Sequence, residues 1–430
     1  MGRSEVVGRS EVVGRSEIVS RSEAVESAAR LHALAAVLGE AGDIVRERVA
    51  SPAPPAWCER RGWSPFLLGL DDGALERCEH GETARVLSGL AGAPPSLRAF
   101  ARAVIAATEL APLEPHPEGA PALLRASERK RRQVGALAAL VARWAPGARR
   151  VVDLGAGHGH LTRELAACLG VAALGVEARE HVVEGARALT ASDAVRFVRR
   201  DAIADPIELA PGDLVVGLHA CGALGDAIAR AAAESGAGVL LVSCCPQKIE
   251  GEERAPLSAI GRRLGLRMPR EHLGLANLAT LAEGGKDSAG VMERRLARRA
   301  LFHLLESAGV SLAPGDEMRG IPRRQTRRGL DPLVAFAFAR RGLQAPSSHA
   351  AAEARARAAS EHPVMRRLSL PRTMLARVLE LTLVHDRAAL LDEARLDDQR
   401  SPAWVVEAFN RSASPRNVAI LRAPAVTHPR

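Results

Sequence analysis

The sequence predicts an α/β fold, with a mostly parallel sheet, a helical region before it and a helical segment inserted within it. Three observations point there. Short apolar runs alternate with helical periods between residues 150 and 245, the pattern of a parallel sheet covered on both faces. A glycine-rich turn, GAGHG (155–159), joins the first such run to its helix. Two further short runs close the chain at hairpin spacing.

The elements follow in order. Residues 1–25 repeat GRSEVV, GRSEVV, GRSEIV and SRSEAV. A six-residue period keeps no stripe on a helix of 3.6 residues per turn, so this reads as a disordered tail. Residues 26–112 read as a helical N-terminal domain, interrupted at SPAPPAW (51–57) and followed by the Pro-rich linker ELAPLEPHPEGAP (109–121). Ser127–Trp144 is an amphipathic helix with the basic start ERKRR. RVVDL (150–154), AALGVE (172–177), VRFVRRD (195–201), DLVVGLHA (213–220) and GVLLVSCC (238–245) are strands, with helices at 160–170, 179–191 and 224–235 between them. Residues 255–360 form the helical insertion, ending in the low-complexity linker or helix SSHAAAEARARAAS (347–360). Residues 370–425 return to the core through a helix at 370–394. The strands WVVEAFN (404–410) and NVAILRA (417–423) then pair through the turn RSASPR.

Bulk properties exclude some classes. No stretch is long and apolar enough to span a bilayer. The formal charge of +9 rests on arginine, because only Lys130, Lys248 and Lys286 are lysines. With abundant alanine this reads as codon bias and a solvated surface, not as proof of nucleic-acid binding. The six cysteines (58, 78, 168, 221, 244, 245) include no C-x-x-C pair. Neither a zinc ribbon nor a thioredoxin-type site is indicated, and a reduced, cytoplasmic setting fits best.

The glycine turn is the candidate site. Glycines at 155, 157 and 159 let backbone approach a ligand, and the helix behind them directs N–H groups at it. A dinucleotide fingerprint needs G-x-G-x-x-G. Here the last slot is His160, and the spacing is G-x-G-x-G after Asp153. That form resembles motif I of class I S-adenosylmethionine (SAM) methyltransferases. The resemblance implies a Rossmann-like sheet with a reversed last strand, supplied by the closing hairpin. It makes SAM the cofactor, held by Asp153, Gly155, Gly157, Gly159, Glu177 at the ribose and Asp201 near the adenine amino group.

Each acid also has a structural reading. Asp153 could cap its turn, Glu177 could be a solvated strand-end acid, and Asp201 could pair with Arg199 or Arg200. More narrowly, SERKRRQV (127–134), GLHACGALGDA (217–227), SCCPQK (243–248) and SPRNVAI (414–420) are similar to one methyltransferase-domain family. It includes the eukaryotic methyltransferase-like and glutathione-transferase-C-terminal-domain-containing proteins. The tRNA acceptor-stem 2′-O-methyltransferases are a more distant likeness.

Methyl transfer from a sulfonium needs positioning and water exclusion more than an acid–base pair. Where amino-group methyltransferases carry N/D-P-P-Y/F, this chain has His219-Ala220-Cys221-Gly222. His219 is the catalytic candidate, with a cofactor- or loop-holding role as the alternative. No metal site is assigned: Cys221, Cys244 and Cys245 read as small hydrophobes at strand ends, in preference to a nucleophile or a metal site with His219. Lys248 reads as a surface lysine, or as a contact to an acidic substrate. Arg416 and Asn417 read as turn-structural.

The arginine clusters at 129–132, 294–299 and 323–328 make RNA the slightly favoured acceptor, against the scarcity of aromatic residues for base stacking. Two rival functions are a catalytically inactive SAM-fold adaptor for RNA or protein and a nicotinamide-dependent oxidoreductase. The oligomeric state is not read from the sequence.

Overall fold

The alternating segment folds into a seven-stranded sheet. Its strands are β1 (Arg150–Leu154), β2 (Ala172–Glu177), β3 (Val195–Arg199), β4 (Asp213–Leu218), β5 (Gly238–Val242), β8 (Trp404–Glu407) and β9 (Val418–Arg422). The order is β3-β2-β1-β4-β5-β9-β8. β1 to β5 are mutually parallel, and β9 runs antiparallel to both β5 and β8. A two-residue ribbon, β6 (Glu253–Arg254) with β7 (Met268–Pro269), lies outside this sheet. This computed structural model describes residues 27–110, 123–280, 288–313, 315–394 and 401–425. The hexad tail and most of the Pro-rich linker lie outside the described residues. Among the described residues, no helix is long and apolar enough to cross a membrane.

Strand position explains strand composition. Central β4 is buried at every residue of DLVVGL, and β9 at every residue of VAILR, Val418–Arg422. Edge strand β3 alternates, with Val195 and Phe197 buried and Arg196 and Arg199 exposed. On one face, Val151, Leu214, Val216 and Leu240 pack under the helices Glu128–Trp144 and His160–Leu169. On the other, Val152, Val215, Val239 and Ile420 share one apolar cluster with the helix Ala223–Ser235, the N-terminal helices and the long helix Ser348–Glu393.

That long helix departs from the sequence reading, which separated 347–360 from 370–394. Ser347 caps it by accepting from the Ala350 amide at 3.1 Å. It continues through Pro363 and Pro371, although each proline removes one helical hydrogen bond. Packing offsets that loss. From Leu368 to Leu391 the helix is buried on nearly all sides, as expected of a helix enclosed by a core. The break between insertion and core therefore falls within a helix.

Buried charges lock this helix to the sheet. Arg387 donates to Asp226 Oδ1 (2.8 Å), Ser243 Oγ (2.7 Å) and the Gly222 carbonyl (3.1 Å). Asp386 accepts from the amides of Leu257 and Ser258 and pairs with Arg254. Arg254 also pairs with Asp226.

Candidate active site

The glycine turn sits at the carboxyl end of β1, as such sheets require. Gly155, Gly157 and Gly159 have φ of +78°, +56° and +71°, the left-handed region where a Cβ is strained. Their surroundings differ. A Cβ at Gly159 would overlap the Phe197 ring, whereas one at Gly157 would meet nothing within 4 Å. Gly157 thus faces open space, in a cavity of about 170 Å³ lined with Lys130, Asp153, Gly155, Leu161 and Leu218 among others.

Two carboxylates frame the turn. Asp153 is buried and accepts from Thr162 Oγ1 at 2.6 Å. Burial pushes its carboxyl up to about 6, against the opposing pull of Thr162 and the Lys130 charge. Glu177 ends β2, one strand over. Its Oε2 accepts from the Gly157 amide at 3.2 Å, and its Oε1 from the Arg179 amide (3.2 Å) and Nε (2.8 Å). Burial alone would raise its pKa, but these donors hold it below the ordinary carboxylate range.

Asp201 is exposed just past β3. Neither expected arginine partner is bonded to it: Arg199 pairs with Glu180 and Arg200 with Asp205. Asp201 Oδ1 instead accepts from the Ile203 and Ala204 amides at 3.0 and 3.4 Å, which fixes the turn beside the end of β2.

His219 follows β4 with φ +67°, unusual for a residue with a side chain. Its amide donates to Val242 O at 2.8 Å, and its Nε2 donates to Gln133 Oε1 at 3.3 Å. Burial first, then the charges of Lys130 and Arg129, push its imidazole down to about 4, so it is neutral at pH 7. Gln133 also donates to Ala413 O (3.2 Å), and Arg129 reaches Ala413 O and Ser414 Oγ, both at 3.0 Å. The helix before β1 is thereby tied to the closing hairpin. Arg416 joins that hairpin to Ala276 O, Asn277 Oδ1 and Glu380, while Asn417 donates to Phe409 O. Both are structural, as the turn chemistry implied.

Sequence reasoning missed Lys130 and Gln133. The basic start ERKRR was legible, but only the cap at Ser127, which accepts from the Lys130 amide at 3.3 Å, fixes which residue turns inward. The cysteines also differ from expectation. Cys221, Cys244 and Cys245 are half-buried, with sulfurs within 4.8 Å of one another. Cys221 and Cys244 are joined as a disulfide. By contrast, burial raises the Cys58 and Cys78 thiols to about 11 and 12.

The helix Ser288–Ser307 does not present a free arginine face. Arg298 pairs with Glu317 at 2.7 Å, Arg299 with Glu361 at 2.6 Å, and Arg295 with Glu79 at 3.7 Å. Arg324, Arg327 and Arg328 of the third cluster are exposed.

A family profile described as a methyltransferase domain matches residues 129–252. Among solved structures, the chain is 24% identical to a chain in a complex of the Haloferax volcanii Trm112 methyltransferase activator, covering 25% of this chain and 50% of that one at a TM-score of 0.21. It is 23% identical to the YcgJ protein of Bacillus subtilis (26% and 50% covered, TM-score 0.21). It is 18% identical to a SAM-dependent methyltransferase from Thiobacillus denitrificans in complex with S-adenosyl-L-homocysteine (48% and 84% covered, TM-score 0.23). The chain spans about half the length of the first two. The matched segment supplies β1 to β5 of the sheet, in which a single reversed strand, β9, lies between β5 and β8. Residues 129–252, under a third of the chain, are similar to methyltransferase domains.

Proposed function

We propose that the chain transfers the methyl group of SAM to an acceptor held at the carboxyl ends of β1, β4 and β5. The observation that carries this is the pairing of an open, positive-φ glycine at 157 with the Glu177 carboxylate one strand away. Glu177 would accept from the ribose hydroxyls, with Arg179 giving way. Asp201 would lie near the adenine. Lys130, on the cavity wall, would meet the methionyl carboxylate. The cofactor supplies an electrophilic methyl on a sulfonium. The chain's part is to align the acceptor with the carbon–sulfur bond and to exclude water. His219, neutral and bonded to Gln133, would stand at the acceptor end.

RNA as acceptor loses its best support, since Arg295, Arg298 and Arg299 of Ser288–Ser307 are engaged in ion pairs. What favours it is the exposed group Arg324, Arg327 and Arg328. Calorimetry is expected to show SAM and S-adenosyl-L-homocysteine binding, weakened by Asp153→Ala and Glu177→Ala. Binding of NADH in their place would reinstate the oxidoreductase reading. Tritium from labelled SAM should enter one of the fractions RNA, protein or small molecules; label in none would favour an inactive adaptor.

A further inference from the structure

The three converging sulfurs follow the carboxyl ends of two neighbouring parallel strands, β4 and β5. Leu218 ends β4 and lines the glycine-turn cavity, and Cys221 follows three residues later. Cys244 and Cys245 follow the end of β5, the neighbouring strand. The sulfurs of Cys221 and Cys244 lie 3.0 and 3.5 Å from the His219 carbonyl oxygen, and Cys245 Sγ lies 3.5 Å from Cys244 Sγ.

The fold holds this arrangement firmly. Arg387 bonds both loops at once, through Gly222 O and Ser243 Oγ. The Ala223 amide donates to Lys248 O at 2.8 Å, and a Cβ at Gly222 would overlap that carbonyl. A disulfide uses two of the sulfurs and leaves the third beside it without a role. A cation uses all three. Thiolates at about 2.3 Å from one tetrahedral zinc ion lie roughly 3.8 Å apart, inside the 4.8 Å limit that encloses the three sulfurs.

We propose that Cys221, Cys244 and Cys245, when reduced, bind a zinc-class divalent cation through three thiolates, with the fourth coordination position open to a thiol acceptor. A thiol reductant opens the Cys221–Cys244 bond by exchange and is itself oxidised to its disulfide. Three protein ligands and one open position form the pattern of a catalytic zinc site, not a structural one. A thiol entering that position loses its proton to solvent and is held as a thiolate, the protonation state that attacks carbon. The acceptor assignment rests on the methyl-transfer reading. In that step a new sulfur–carbon bond forms to the methyl. The old bond breaks with its electron pair left on the cofactor sulfur, giving two neutral thioethers. Neutral thioether is a poorer zinc ligand than thiolate, so the product is released.

The test uses the full chain, reduced and freed of reductant, titrated with Co2+ as a spectroscopic stand-in for Zn2+. One equivalent is expected, with sulfur-to-cobalt charge-transfer absorption. Cys245→Ser, which leaves the Cys221–Cys244 pair intact, should weaken uptake by more than about tenfold, a loss of about 1.4 kcal/mol. Adding 2-mercaptoethanol should shift the cobalt bands. With zinc restored, labelled methyl from SAM should appear on that thiol. No cobalt uptake, or uptake unchanged in Cys245→Ser, overturns the site. Cobalt bands indifferent to the thiol overturn the acceptor assignment. SAM calorimetry on the same samples separates the two readings. SAM bound without cobalt leaves methyl transfer standing and removes the metal; cobalt bound without SAM does the reverse.

Discussion

The amide of Gly157 donates to Glu177 Oε2 at 3.2 Å, so the glycine turn and the carboxylate one strand over form one hydrogen-bonded unit. This bond exists because β1 and β2 are adjacent and parallel, with Leu154 opposite Val176. Glu177→Gln keeps the shape and removes the charge. Hydrogen bonds to charged groups are worth about 1.5–3 kcal/mol, so SAM affinity should fall roughly tenfold to a hundredfold in calorimetry with the melting temperature little changed. An unaltered affinity would refute the ribose contact.

Gly157 and Gly159 separate ligand approach from packing. Gly159→Ala places a methyl into the Phe197 ring at φ +71°. Overpacking costs about 1–3 kcal/mol and the left-handed conformation about 1–2 more, so thermal unfolding should shift down by several degrees. Gly157→Ala meets no atom within 4 Å. It should keep more of the stability and lose SAM binding, because its methyl occupies the ligand's space. Equal stability losses with equal SAM affinity would contradict this division.

Reversing Arg299 tests the arginine helix. Arg299 and Glu361 are both largely buried, and Glu361 also accepts from His303 and Arg357. Arg299→Glu puts two carboxylates together. Breaking a buried pair typically costs about 3–5 kcal/mol, so denaturant midpoints should drop sharply. The salt dependence of any RNA binding should not move. A stable variant with a smaller salt slope would return this helix to an RNA-binding role.

His385 gives a pH dependence with a definite sign. It lies buried in the long helix, its Nδ1 3.4 Å from Ser27 Oγ and its Nε2 without a hydrogen-bond partner. Burial, then the Arg30 charge, pushes its pKa down to about 3 from the ordinary 6.5. The unfolded chain therefore binds its proton first. The stability tied to the neutral ring is intact above pH 6.5 and is lost as pH falls toward 3. His385→Gln should lose less stability than wild type over that interval. Asp153, raised to about 6 from 3.8, acts in the opposite sense between those values. The difference between variant and wild type, followed by urea denaturation, is therefore the quantity to read. A difference that does not change with pH would refute the assignment.

His219→Ala should lower kcat while leaving SAM affinity within about twofold, since His219 bonds Gln133 and β5 and not the glycine turn. Loss of SAM binding in this variant would instead make the residue part of the cofactor pocket.

The sequence by itself determined the local elements and the glycine turn. Short apolar runs such as RVVDL and AALGVE match β1 and β2 at both ends. Three glycines at alternate positions permit the left-handed turn that forms there. These features are fixed by neighbours within a few residues, where the chain's chemistry leaves little choice. The tertiary structure decided the rest. Ser348–Glu393 runs on past two prolines because burial from Leu368 to Leu391 outweighs two lost hydrogen bonds. Lys130, rather than its basic neighbours, lines the cavity, and Arg298 and Arg299 meet glutamates 19 and 62 residues away. Cys221, Cys244 and Cys245 converge only because β4 and β5 are parallel and Arg387 ties their loops together. Such contacts depend on which distant segments the sheet order brings side by side, and periodicity along the chain carries no record of that order.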